Sequence, residues 1–591
     1  MTRRLRAGLS VLVVLLAALT GCLSMPTSGT LTEVDDPGAG ESEAPADIVV
    51  RPPQPGESAR DIAVHFLDAM EASPISTKVA REFLSQEISS SWDPSLGTIV
   101  YGSRSAPTGA GTDRTAPVDV SIDLDDAGQF DSRGSWLGPL SKTDEPLQLD
   151  LPMVREDGEW RIAEAPNALI VRDAWFAERF DQVSVYFFNP AGEVLVPEPV
   201  YLPSGDQLPT YLVSDLVAGP SPELADVERG YFPAGTTVRP VTVAADGRAE
   251  IALQSDSSPP NARGAELMLA QLTWTLQQVP GIKYLQVTFN DGPLRLAHGT
   301  ADQVPVKSSP EYDPTGSSAP SEPFALRDGL LVSGPLDDPV AVNGPFGRTR
   351  LGLRSIAVDP TGARVAGVGT AGDRVLVGPL RDDQSDTAKQ VVDGATDLLP
   401  PGWDLAGRLW LVDRRAGGAL ISIVEKGRVR PVTIRGVSGR EVQSFVVSRD
   451  GTRFVAVVRG PERDVLRQSR IQVSDSGRVS ATPARTMPFD ELLPSRISDL
   501  SWSSPIALLV LAEVTPGAVE VRPLPIDGSP SSGLPGGTIV SGRMRWLAGS
   551  PAPGEPWYAI GARPRSVVDS AGNELSRSLD GVDLRTLTYP G

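Results

Sequence analysis

The apolar positions change rhythm along the chain, and each rhythm predicts a different kind of segment. Arg3, Arg4 and Arg6 precede an apolar run from Ala7 to Leu19 that contains one Ser and one Gly. This basic-then-apolar order is that of a secretory leader, and the run is too short to cross a bilayer, which takes about 20 residues. From Leu23 to Pro55 the chain turns to Ser, Thr, Gly, Pro, Asp and Glu, with too little apolar surface to offset its ordering entropy. A flexible tether of this length has a mean reach of about 30 Å. Apolar residues then recur at Ala59, Ile62, Ala63, Phe66, Leu67 and Met70, the spacing of an amphipathic helix. A second helix is predicted over 78–86, with Ala80, Phe83 and Leu84. Strand-like runs follow at 98–101, 118–124, 135–140, 147–154 and 160–163, the last two joined by Glu156-Asp157-Gly158, a hairpin turn.

Two helices ahead of a curved antiparallel sheet resemble the NTF2-like α+β cone. A second unit opens with a strand over 183–189 and its partner over 194–200. A helix begins after Leu208-Pro209 and stops at Ala218-Gly219-Pro220, a left-handed glycine followed by a residue that cannot continue it. Runs over 237–243 and 249–253 alternate around Asp246-Gly247 as a hairpin. A long helix over 262–279 places Ala265, Met268, Leu269, Leu272, Leu276 and Val279 on one face. The strand 284–289 then turns at Asn290-Asp291-Gly292.

Beyond a Pro/Ser-rich stretch the sequence repeats. Ser355-Ile356-Ala357-Val358 with Gly362, Arg364 and Val368 aligns with Ser444-Phe445-Val446-Val447 with Gly451, Arg453 and Val457. Gly407, ahead of Leu409-Trp410-Leu411-Val412, falls between them. A period of about 40–45 residues with a turn glycine between two strands is that of a propeller blade. Weaker copies surround Trp502 and the Trp546–Trp557 region, so 324–591 holds about six blades, with five or seven left open. In blades, tryptophans wedge between sheets more often than they bind sugars, so Trp403, Trp410, Trp502 and Trp546 are read as core.

Four stretches of the second unit look like the GerMN domain of sporulation and germination proteins: Leu216-Val217-Ala218-Gly219-Pro220, Phe232-Pro233-Ala234-Gly235-Thr236, Leu272-Thr273-Trp274-Thr275-Leu276 with Val279-Pro280-Gly281, and Asp291-Gly292. With Leu19-Thr20-Gly21-Cys22 before them and the repeats after, the whole arrangement resembles the LpqB lipoprotein family of high-G+C Gram-positive bacteria. The resemblance implies a GerMN module, a C-terminal β-propeller and an accessory role to a membrane sensor histidine kinase that governs envelope and division genes. The expected organisation is multidomain: signal peptide over 1–21, tether over 22–56, NTF2-like α+β domain over 57–175, α+β GerMN domain over 181–296, linker over 297–323 and an all-β propeller over 324–591.

Composition narrows the chemistry. Cys22 is the only cysteine in 591 residues, and it follows an aliphatic and two small residues, Leu19, Thr20 and Gly21. That is the pattern at which bacterial lipoproteins are cut and the thiol alkylated with diacylglycerol. Cys22 is therefore expected to be the S-diacylglycerol and N-acylated residue, Leu19 to Gly21 the peptidase recognition site, and membrane lipid the first partner. Two acyl chains, at about 0.8 kcal/mol per buried CH₂, make a stable anchor. The formal charge of −20 becomes −23 when Arg3, Arg4 and Arg6 leave with the leader, a surface that repels nucleic acid. No disulfide within the mature chain is open to a lone cysteine.

A catalytic set is not legible. The two histidines, His65 in the first helix and His298 after the last GerMN strand, fall in different units and cannot serve one triad. There is no HExxH, Cys cluster or calcium loop, and Asp35-Asp36, Asp337-Asp338 and Asp382-Asp383 read as solvated turns. The glycines Gly367, Gly369 and Gly372 follow a strand but open no helix, so no dinucleotide loop is expected. No cofactor or metal is expected. The leading reading is a non-enzymatic, membrane-anchored protein on the extracytoplasmic face that contacts the extracellular domain of a sensor histidine kinase. The alternatives are a cell-wall glycan or peptide binding module and, third, a wall-polymer hydrolase with a carboxylate pair at the propeller's central channel.

Overall fold

Helix Ala59–Met70 starts at a capping box, in which Ser58 and Asp61 satisfy each other's backbone N–H. Its Ile62, Phe66, Leu67 and Met70 are buried against two antiparallel-rich sheets. The computed structural model describes residues 48–109, 118–141, 145–316, 318–336, 338–381, 387–474, 476–489, 493–530, 536–561, 567–573 and 582–591. Leu19, Thr20, Gly21 and Cys22 lie outside them, as do Asp35, Asp36, Asp337, Asp382 and Asp383. The helix expected over 78–86 is instead two single turns, Lys78–Arg81 and Gln86–Ser89. Between them the backbone is drawn into the sheet: Ser85 N–H donates to Ile162 O at 2.8 Å and Ile162 N–H to Phe83 O at 2.9 Å. Strands Ser103–Arg104, Gly128–Asp131 and Leu169–Arg172 escaped the sequence reading. Gly128–Asp131 and Leu169–Arg172 flank Gly97–Tyr101, the latter in parallel.

In the second module Phe180–Phe188 and Leu195–Pro203 pair along their whole length. Helix Leu208–Ala218 ends at Gly219 with φ +78°. Helix Ala262–Leu276, capped by the Asn261 side chain on Gly264 N–H, carries the chain between the parallel strands Arg248–Gln254 and Tyr284–Phe289. Asn290 and Asp291 both take positive φ in the tight turn that follows. The predicted strand over 237–243 is broken at Arg239-Pro240 into Thr237–Val238 and Thr242–Val243, which pair with the same neighbour, because proline has no N–H for the ladder.

The stretch read as a linker over 297–323 is seated on this module. Val304–Pro305 pairs with Tyr284 and Leu285, Trp274 donates its indole N–H to Ser309 O at 2.8 Å, and Tyr312 packs edge-on against Phe188. Its Pro/Ser content marks irregular backbone, and the hydrogen bonds and aromatic contacts hold that backbone down.

The rest is a succession of antiparallel sheets, six among the described residues. Leu353–Val358, Gly402–Trp403, Val442–Val447, Ile497–Ser504, Met544–Ala548 and Val582–Thr588 are the first strands, and each packs beside the next around a ring that closes on itself. Closure crosses the repeat: Val582–Thr588 pairs with Phe324–Arg327, a strand from the other end of this region. Gly362, Gly407 and Gly451 sit in their predicted turns at φ +67°, +74° and +73°, where any side chain is strained. Four of the inner strands also bulge at one equivalent place, just before Ser355, Ser444, Asp499 and Trp546. A bulge re-aims the residue beside it.

Candidate functional site

Two features stand out, and both grow from the repeat. After each turn glycine comes an arginine. Arg364 is bonded to Asp359 at 2.9 Å and reaches Gly407 O at 3.4 Å in the next blade; Arg408 is bonded to Asp404 at 2.7 Å and reaches Gly451 O at 3.4 Å. Each arginine ties one blade to its neighbour. The third, Arg453, is diverted. Its guanidinium donates to Pro197 O at 2.6 Å and pairs with Glu198, both on the second module's strand Leu195–Pro203. Arg470 grips the same carboxylate with two bonds of 2.6 and 2.7 Å and lies 3.5 Å from Glu228.

The four side chains form a buried cluster, with Arg453 and Glu228 at zero exposure. Burial raises the Glu198 carboxyl, but Arg453 and Arg470 outweigh it and hold it at about 2. Burial and the adjacent Glu198 push Glu228 well above the usual carboxylate range. Asp450, also buried, lies 3.6 Å from Arg453, so the two guanidinium groups face Asp450 as well as the Glu198–Glu228 pair. Nearby, Tyr201 reaches three ways: its ring packs on Phe130 at 4.9 Å in the first module, its backbone belongs to the second, and its hydroxyl meets Ser529 Oγ at 2.7 Å on the propeller side.

The second feature is the channel mouth inside the ring of first strands, a cavity of about 140 Å³. Ser444 Oγ donates to Asp499 at 2.6 Å, and the backbone N–H groups of Leu500 and Leu547 donate at 3.0 and 2.9 Å. Burial still pushes the Asp499 carboxyl up to about 6. Arg449 donates to Pro590 O and Thr315 O, and burial lowers it to about 10. Trp403, Trp410 and Trp502 are core, as their spacing predicts. Trp546 departs from that expectation in being half-buried; it lines the cavity, as Trp502 does too.

Asp499 is the one carboxylate side chain among the described residues lining this cavity, so a side-chain carboxylate pair of the glycosidase kind has no second member there. His65 is exposed and bonded to Glu57 at 3.0 Å, and His298 is exposed on the second module. No grouping of metal-ligating side chains occurs among the described residues. The junction residues were missed by sequence reading, although Glu198 was visible as a lone charge between Pro197 and Pro199 in an otherwise apolar strand.

Comparison with known proteins follows this geometry. Residues 52–177 match the model of the LpqB lipoprotein N-terminal domain, 184–295 the sporulation and spore germination (Germane) domain, and 329–555 the LpqB lipoprotein beta-propeller domain. The chain belongs to the LpqB lipoprotein family. The LpqB lipoprotein of Thermobifida fusca is 27% identical, with 97% of each chain covered, and that of Mycobacterium bovis BCG is 28% identical over 89% of this chain and 90% of its own. The first GerMN domain of the sporulation protein GerM from Bacillus subtilis aligns with 21% of this chain and 97% of its own length at 22% identity and a TM-score of 0.19. The architecture is that of the LpqB family: a multidomain chain with a GerMN domain between an N-terminal α+β domain and a β-propeller. Among the described residues no helix is long and apolar enough to cross a membrane.

Proposed function

We propose that this LpqB-family chain is a lipid-anchored, extracytoplasmic accessory protein of a sensor histidine kinase, with no catalytic reaction of its own. The observation that carries the proposal is the buried junction. Arg453, Arg470, Glu198 and Glu228 join the GerMN domain to the propeller through a largely buried cluster, Arg453 and Glu228 being fully enclosed. Domains of one chain that touch through small polar interfaces move independently. A desolvated ion cluster of this kind fixes their relative register, which suits a protein that presents a composite surface to a partner. Acylation of Cys22 would confine it to the membrane that holds the kinase, and shared confinement raises effective concentration enough to occupy a weak contact.

The test is a crosslinking pull-down from membranes, comparing the tagged protein with its Cys22→Ser form. Recovery of a sensor kinase by the anchored form, and several-fold less by the released form, supports the proposal. Recovery of wall polymer with no kinase refutes it and favours a wall-binding module.

A further inference from the structure

The inner strands of the propeller place four equivalent residues, Ser355, Ser444, Asp499 and Trp546, immediately after a bulge in their own strand. All four line the channel-mouth cavity. They are not equally satisfied. Ser444 and Asp499 bond each other at 2.6 Å. Ser355 has only 6% of its surface exposed, and its hydroxyl has no hydrogen-bond partner. A buried hydroxyl left in this state costs about 1–3 kcal/mol, which a hydrogen-bonding group in the cavity offsets. Trp502 and Trp546 both line the cavity; Trp502 is buried, and Trp546 is the half-buried one of the two.

We propose that the channel mouth is a binding site for a neutral saccharide of one or two rings. Size sets the first limit. A water needs about 10–15 Å³ of such space, so a cavity of about 140 Å³ holds on the order of ten waters, comparable to what a small sugar displaces. Charge sets the second. The lining carries both signs, Asp499 against Arg449 and Arg585, so neither kind of ion meets a lining of one opposite sign. Polarity sets the third. A purely apolar ligand would leave Ser355 unpartnered, whereas a pyranose offers a C–H face to the Trp546 indole and hydroxyl edges to Ser355 and Asp499. Ligand sites of this type combine an aromatic wall with a few placed polar groups. The site adds a ligand-dependent element to the LpqB propeller and stands whether or not a kinase is the protein partner.

The experiment is calorimetric and fluorescence titration of the mature full-length lipoprotein in detergent with three probes: N,N′-diacetylchitobiose, lactose and maltose. Saturable binding of at least one probe is expected, with a change in tryptophan emission. Trp546→Ala should weaken it by about tenfold, the loss typical of an anchoring ring. Ser355→Ala should weaken it by roughly threefold while raising the melting temperature of the unliganded protein, because it removes the unsatisfied hydroxyl. The Ser355 variant keeps the test decisive if Trp546→Ala unfolds. The proposal is overturned if no probe binds up to about 20 mM, a range that captures millimolar affinities, or if binding is unchanged in Ser355→Ala and in a folded Trp546→Ala.

Discussion

Arg453→Met tests whether the diverted arginine holds the GerMN domain to the propeller. The native side chain is fully buried and donates to Pro197 O at 2.6 Å as well as pairing with Glu198. Methionine fills much of the same space but leaves Pro197 O without this donor and Glu198 with Arg470 alone. Breaking a buried ion pair by removing one partner costs about 3–5 kcal/mol. Because Arg470 still holds Glu198 through two bonds, the low end applies, about 3 kcal/mol. For domains of this size each kcal/mol moves the melting temperature by about 2–4 °C, so scanning calorimetry should register a fall of about 6 °C or more. Arg364→Met is the internal control. It occupies the same repeat position and pairs with buried Asp359, but its own side chain is 41% exposed and its carbonyl bond to Gly407 is long, so its loss should cost less than that of Arg453. A double-mutant cycle of Arg453→Met with Glu198→Gln should show coupling above about 1 kcal/mol, as contacting residues do. Equal melting shifts for Arg453→Met and Arg364→Met, or additive effects in the cycle, would refute the claim that this cluster fastens the two domains.

Two other junction residues make separate predictions. Asp215 of the GerMN domain lies 3.5 Å from Arg133 of the N-terminal domain, and burial pushes its carboxyl up to about 7. The folded protein therefore keeps a proton there that the unfolded chain releases near pH 4, and stability falls as pH rises from about 4 to 7. Melting temperatures at pH 5 and pH 8 should differ by less in Asp215→Asn than in the parent, and an unaltered difference would remove Asp215 as the cause. Gly134 sits at φ +75°, and an added Cβ would lie 2.1 Å from Tyr201 O. Gly134→Ala should destabilise by more than about 2 kcal/mol, since both the backbone angle and the close approach oppose it, and should expose the Tyr201 strand to limited proteolysis.

How much of this was legible depends on whether the signal was local. The helix Ala59–Met70 was readable because its apolar spacing is complete within twelve residues. The turn glycines of the blades were readable because the repeat states them three times. Strand Leu169–Arg172 was not, because its partner Gly97–Tyr101 lies about 70 residues earlier and a parallel pairing leaves no hairpin signal. Residues 83–85 carried a helical pattern that lost to an edge-strand hydrogen bond, a tertiary effect that outweighs weak propensity. The junction was hidden for a different reason. Arg453 looks like Arg364 and Arg408 in sequence, and nothing around it announces that its neighbour is a strand some 250 residues away. Trp546 shares its residue type with three buried tryptophans, and only the blade geometry separates them.

That diversion bears on how the proposed anchored accessory role would work. Modules joined only by loops average out any orientation between the membrane and a distant binding surface, and tethering then contributes effective concentration and nothing more. Here the same arginine that staples blade to blade elsewhere is used to fix the GerMN domain, and Tyr201 links that domain to both of its neighbours. A contact made at the propeller is therefore made in a set orientation to the N-terminal domain. Arg453→Met consequently has a functional readout besides its melting temperature. In cells it should leave membrane fractionation of the protein unchanged and still reduce output of the proposed kinase partner, whereas Cys22→Ser, if the proposed acylation holds the protein, should reduce both. Kinase output unchanged in a folded Arg453→Met protein would mean that anchoring alone suffices and that the buried cluster serves stability only.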